Sequence, residues 1–73
     1  MTWADKIVLT KAAAVLGGVN LKKLENEEYR NKLGRRLRDL RGERYAVSAV
    51  KALARAAKVA EPTEKEILSI LRE

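Results

Sequence analysis

The segment ERYAVSAVKALARAAKV, residues 43–59, is apolar at every position except Glu43, Arg44, Ser48, Lys51, Arg55 and Lys58. The last five of these are spaced four, three, four and three. At about 100° per residue they collect in one sector of roughly 80° on a helix, whereas a strand would scatter them over both faces. A helix this apolar needs neighbours on most of its sides. The pattern therefore predicts a central helix of an all-α bundle, with one exposed ridge that is basic.

The rest of the chain fits that frame. Its 73 residues predict a single helical-bundle domain over 1–73, held by one small core. With no Cys and no Phe, the core has to come from Leu, Ile, Val and many alanines. Small residues suit closely packed helices, and sheets draw on β-branched and aromatic ones. The first helix is predicted over about Thr2 to Leu16, with Thr2 as N-cap, Asp5 completing a capping box and Gly17-Gly18 as the stop. Its apolar residues Trp3, Ile7, Val8, Ala12 and Val15 fall near helical spacing. VNLKKLE reads as a connector capped by Asn20, with Leu21 and Leu24 tucked onto the bundle.

The second helix is predicted over Glu27 to Arg41, capped by Asn26 and stopped by Gly42. Tyr29, Leu33, Leu37 and Leu40 form one narrow seam, and Glu28–Lys32 and Arg35–Asp39 are i,i+4 charge pairs. The third helix runs from Glu43 to Val59 and is broken by Pro62. Thr63 and Glu66 form a capping box, so a short fourth helix covers Glu64 to Leu71. The fold class is thus three long helices and one short C-terminal helix.

Several chemistries are unsupported. There is no His and no Cys, so neutral-pH acid–base work and thiolate metal sites lack their usual residues. LGGVNLKK lacks the spacing of a phosphate-binding loop. Glu25, Glu27 and Glu28 read as solvated residues around a helix start. No catalytic residue, cofactor or metal is expected. The best apolar run, IVLTKAAAVL, is about half of the roughly 20 residues that a spanning helix needs, and Lys11 interrupts it. Asp5 and Lys11 also make it a poor secretory signal. The expectation is a cytoplasmic protein with no membrane partner. High charge with one Met, no Cys and no Gln also suits a thermophile.

Charge is concentrated in the middle of the chain. From Arg30 to Lys58 ten basic residues stand against Asp39 and Glu43, a net +8, and the whole chain carries +6. GRRLRDLRGER, residues 34–44, holds five arginines. Arginine suits phosphate because its planar fork engages two oxygens at once. The candidate nucleic-acid-binding residues are Arg35, Arg36, Arg38, Arg41, Arg44, Lys51, Arg55 and Lys58. With antiparallel second and third helices, these form one basic surface. Few aromatics are interleaved, so the expected mode is backbone-dominated duplex DNA contact of low sequence specificity rather than single-strand stacking.

LARAAKVAEPTEKEIL, Leu53 to Leu68, resembles a bacterial helix-turn-helix. Leu53, Ala54, Ala57, Val59, Thr63, Ile67 and Leu68 occupy positions where that motif carries apolar, small or hydroxyl residues. The resemblance implies a fourth helix that reads DNA. The sequence departs from it at Lys58, where the turn usually has Gly, and at Glu64, where it has an apolar anchor. Glu61, Glu64 and Glu66 at the leading end repel phosphate. The competing reading is two bundle helices joined by a proline turn.

A second class of function stands beside nucleic-acid binding: a protein-interaction or self-associating helical module. Its partner is an acidic protein surface or a second copy, and its basic surface is merely solvated. Trp3 and the apolar breadth of the third helix favour it.

Overall fold

Three of the four helices start where a side chain caps them. The computed structural model describes residues 2–73; Met1, the first residue of the expected 1–73 unit, lies outside them. Helix α1 (Trp3–Leu16) opens on Thr2, whose hydroxyl accepts from the Asp5 N–H while the Asp5 carboxylate accepts from the Thr2 N–H. Helix α2 (Glu27–Arg41) opens on Asn26, which accepts from the Tyr29 N–H. Helix α4 (Glu64–Leu71) opens on the Thr63–Glu66 capping box. Each device satisfies backbone donors that the first turn leaves without partners. Helix α3 (Glu43–Ala56) follows Gly42, which supplies no side-chain cap. A short 3-10 turn, Leu21–Lys23, lies in the connector after α1, with Asn20 as its cap.

The helices close on one core. Leu37 of α2, Leu53 of α3, and Ile67 and Leu71 of α4 are its largest fully buried side chains. Ala12 and Leu16 of α1, Leu24 of the connector and Leu33 of α2 join them. α3 packs against α1, α2 and α4 and buries Ala46, Val47, Ala49, Val50, Ala52, Leu53 and Ala54. It is the central helix that its pattern predicts. The architecture is all-α, three long helices and one short C-terminal helix. No described helix is long and apolar enough to cross a membrane.

Contact between α2 and α3 depends on Gly34. A Cβ at this position would stand 2.6 Å from Val50 Cγ2 and 3.3 Å from a Leu71 methyl. The missing side chain lets the two backbones approach more closely than any other residue would allow.

The structure departs from the sequence reading in local ways. α3 ends at Ala56, not Val59, well before Pro62. Lys58 takes a left-handed φ of 58°, its N–H reaches the Arg55 carbonyl, and the Val59 N–H reaches the Ala54 carbonyl. That is a Schellman stop with lysine in the place of glycine. Leu40 leaves the predicted seam of α2 and is 49% exposed, and Leu21 is exposed rather than tucked in. On α1, Ala12 and Leu16 are buried, whereas Trp3 and Ile7 stand 76% and 42% exposed. The Tyr45 hydroxyl is buried without a hydrogen-bond partner among the described residues.

Candidate nucleic-acid interface

Three of the eight candidate cations are engaged inside the molecule. Arg35 donates from Nε to the Ile70 carbonyl at 3.3 Å and from Nη2 to Glu73 at 2.8 Å. Arg38 donates to the Leu71 carbonyl and pairs with Asp39 at 2.9 Å. Arg38 thus supplies a donor to a carbonyl in the last turn of α4, where intrahelical partners run out, and Arg35 shares the Ile70 carbonyl with the Glu73 N–H. The predicted Arg35–Asp39 pair is therefore replaced: Asp39 binds Arg38, and Arg35 turns to the C-terminal residue. Among the described residues no ion pair joins Glu28 to Lys32 either.

Arg55 bridges two elements. It meets Asp5 at 2.7 Å and grips Glu61 with two parallel hydrogen bonds of 3.0 and 2.9 Å. The Glu61 and Asp5 carboxylates hold its guanidinium pKa above the ordinary arginine value. The Thr2 N–H, and then Arg55, hold the Asp5 carboxyl below the ordinary aspartate value despite its burial. Arg72 does the same for Glu43 through a bidentate pair.

Arg36, Arg41, Arg44, Lys51 and Lys58 have no ion pair among the described residues. Arg36, Arg41, Arg44 and Lys58 are exposed and Lys51 is half-buried. These five do not share one face. Gly34 meets Val50, so that side of α2 faces α3. Arg36 follows two residues later, about 200° round the helix, and points away from α3. Lys58 lies beyond Ala56, the last residue of α3, in a left-handed turn, and the ridge of Arg44, Lys51 and Arg55 is centred about 120° round α3 from Val50. It borders α4, where Arg44 and Lys51 line a groove with Glu64 and Leu68.

What the fold does bring together is the corner between α2 and α3. Arg41 ends one helix and Arg44 lies in the first turn of the next, with Gly42 between them at φ 94°. Arg41 spends one donor on the neighbouring Leu40 carbonyl at 3.1 Å, and both side chains are otherwise directed to solvent. Glu43, between them, is turned onto Arg72.

Arg30, counted in the basic block, is only 8% exposed and donates to the Leu24 carbonyl at 2.6 Å. Nothing local in the sequence marks it as internal, because its acceptor is a backbone carbonyl of the connector. The acids at the start of α4 stay on the surface, as Glu61, Glu64 and Glu66 are all exposed. Seven residues separate α3 from α4, and within them Lys58, which stands where the helix-turn-helix resemblance expects Gly, takes a left-handed conformation. Among the described residues no group of three or more Asp or Glu side chains is arranged to hold a metal ion. No protein-family model, no curated protein and no solved structure matches this chain.

Proposed function

We propose that the protein binds nucleic-acid duplexes, DNA first among them, through backbone phosphates and with low sequence specificity. One observation carries this reading: among the described residues, Arg41 and Arg44 flank the only long-helix N-terminus without a side-chain cap, and neither is bound to an acid. Free backbone N–H groups and the helix dipole favour an anion there, and two guanidinium forks supply the charge-assisted bonds. Lys51 extends the positive surface along α3, weakened by Glu64 beside it, and Lys58 adds an exposed charge in the turn beyond the helix end. Arg35, Arg38 and Arg55 act in this reading as internal braces rather than as phosphate ligands.

The test is titration of a labelled duplex at two salt concentrations. Affinity is expected to fall steeply with salt, and Arg41→Gln with Arg44→Gln to flatten the dependence by about one unit of log–log slope for each lost contact. Changing Glu61, Glu64 and Glu66 to Gln is expected to leave any sequence preference as it was. A protein that reads bases with α4 would change it. Absence of binding at low salt sinks the proposal.

A further inference from the structure

α1 presents two opposite stripes, and the bundle covers one of them. The covered stripe holds Asp5, Ala12 and Leu16. On the opposite side Trp3, Ile7, Thr10 and Ala14 follow one another at spacings of four, three and four, and all four are exposed. At about 100° per residue they lie within roughly 60° of one another. This is the spacing of a coiled-coil seam. Lys6 borders the stripe on one side and Lys11 on the other, and both are exposed without an ion pair among the described residues. Asp5, the helix's one acid, is turned inward and bound by Arg55, so the outer face carries no negative charge. The Thr10 hydroxyl donates back to the Lys6 carbonyl at 2.8 Å, which satisfies it within its own helix.

From this geometry we infer that the outer face of α1 is a docking seam for an acidic amphipathic helix of a partner protein. Trp3 and Ile7 are the anchors. Thr10 and Ala14 are small, so a second helix approaches closely over the last turns of α1. Lys6 and Lys11 stand at the flanking positions that select a partner by charge, and they select glutamate or aspartate. A second copy is disfavoured, because its own Lys6 and Lys11 would meet this pair and because each chain carries +6. A lipid surface is also disfavoured. Interfacial helices present bulky residues along their length, and here half of the stripe is small.

Trp3 is the chain's single tryptophan, so its emission reports the seam directly. The probes are two synthetic three-heptad helices with the same leucine seam, one flanked by glutamates and the other by lysines. The acidic helix is expected to shift Trp3 emission to the blue saturably, and the lysine helix to leave it unchanged. Ile7→Asp is expected to weaken the acidic helix by about tenfold or more, as loss of a central apolar anchor does. The pair Lys6→Glu and Lys11→Glu is expected to reverse the preference. Circular dichroism confirms that each variant keeps its helix content, and duplex binding through Arg41 and Arg44 is expected to be unaffected. The inference is overturned by equal response to both helices or by response to neither. It is equally overturned by a shift seen only with phosphatidylserine vesicles, or by self-association in sedimentation that Ile7→Asp abolishes.

Discussion

Arg55 and Asp5, 50 residues apart, meet at 2.7 Å and join the last turn of α3 to the first turn of α1. The same guanidinium holds Glu61 in the α3–α4 connection. One side chain thus ties three segments of a small bundle at the end where α1 begins. The Asp5 carboxylate serves twice, since it also completes the Thr2 capping box. A residue that looks like part of a basic ridge is a junction.

That junction makes stability depend on acid. The Asp5 pKa is held down in the folded state, mainly by the Thr2 N–H and also by Arg55. Glu43 is held down by Arg72. A carboxyl whose folded pKa lies below its unfolded value contributes its full stabilisation above the ordinary carboxylate range. That contribution is lost as pH falls through the lowered value. The Tm is therefore expected to hold near neutrality and to drop as the solution is acidified below the ordinary carboxylate range. Asp5→Asn is expected to lower the Tm most at neutral pH and to converge with the parent in acid. A gap between the two that stays constant across thermal melts over this range counts against the account.

The close approach at Gly34 gives a second expectation. Alanine there gains about 1 kcal/mol of helix propensity. Its Cβ would also stand 2.6 Å from Val50 Cγ2, and valine is stiff about χ1 and cannot swing aside. Overpacking of this kind costs about 1–3 kcal/mol. Gly34→Ala is therefore expected to destabilise the protein by about 1 kcal/mol net in urea unfolding, against the direction that propensity alone gives. Val50→Ala in the same chain is expected to recover part of the loss, and strict additivity in the double-mutant cycle contradicts the contact.

Local rules made much of this fold readable. Thr2, Asn26 and Thr63 cap the helices they precede, and Gly17 and Gly42 end them, because these devices act within four residues. The central place of α3 followed from a polar ridge too narrow for any other role. The orientation of α1 did not follow, because Trp3 and Ile7 form as good a stripe as Ala12 and Leu16. Periodicity alone does not choose between such stripes, and this bundle packs Ala12, Leu16, Val8, Leu9 and Val15 against the core and leaves Trp3 and Ile7 outside. The candidate site suffered from the same locality. Arg38 and Arg55 look free in the sequence, and Arg35 looks paired with Asp39, because several of their partners lie 33 to 50 residues away. Arg30 looks exposed because a backbone carbonyl leaves no mark in a charge pattern.

Arg38 carries a third expectation. It donates to the Leu71 carbonyl and so holds the end of α4, a helix of eight residues that is too short to persist alone. Arg38→Gln is expected to speed amide exchange in α4 while exchange in α1 stays as it was. Equal protection throughout both helices would show that burial of Ile67 and Leu71 suffices without the arginine. Loss of duplex binding in an Arg38 variant is interpretable only beside this measurement.

The Tyr45 hydroxyl is buried without a hydrogen bond among the described residues. A buried unsatisfied polar group carries its desolvation cost with no return, so removing it loses no native bond. Tyr45→Phe is expected to leave stability unchanged or to raise it by up to about 1 kcal/mol. For a domain of this size that upper bound is a rise in Tm of about 4–8 °C. A fall in Tm instead would mean that the hydroxyl has an acceptor in solution.

Lys58 stops α3 in a conformation that suits glycine, with φ at 58°. A Cβ in the left-handed region costs roughly 1 kcal/mol. The Schellman bonds from Lys58 and Val59 back to Arg55 and Ala54 are made by backbone, so glycine keeps both. Lys58→Gly is expected to raise stability by about 0.5–1 kcal/mol, whereas Lys58→Ala, which keeps the Cβ, is expected to gain little. The two variants lose the same charge. A change in duplex binding that both share therefore reports the lysine's positive charge, and a gain in Tm confined to glycine reports the strain. Equal stability of the two would place the cost of this turn elsewhere than in the Lys58 backbone.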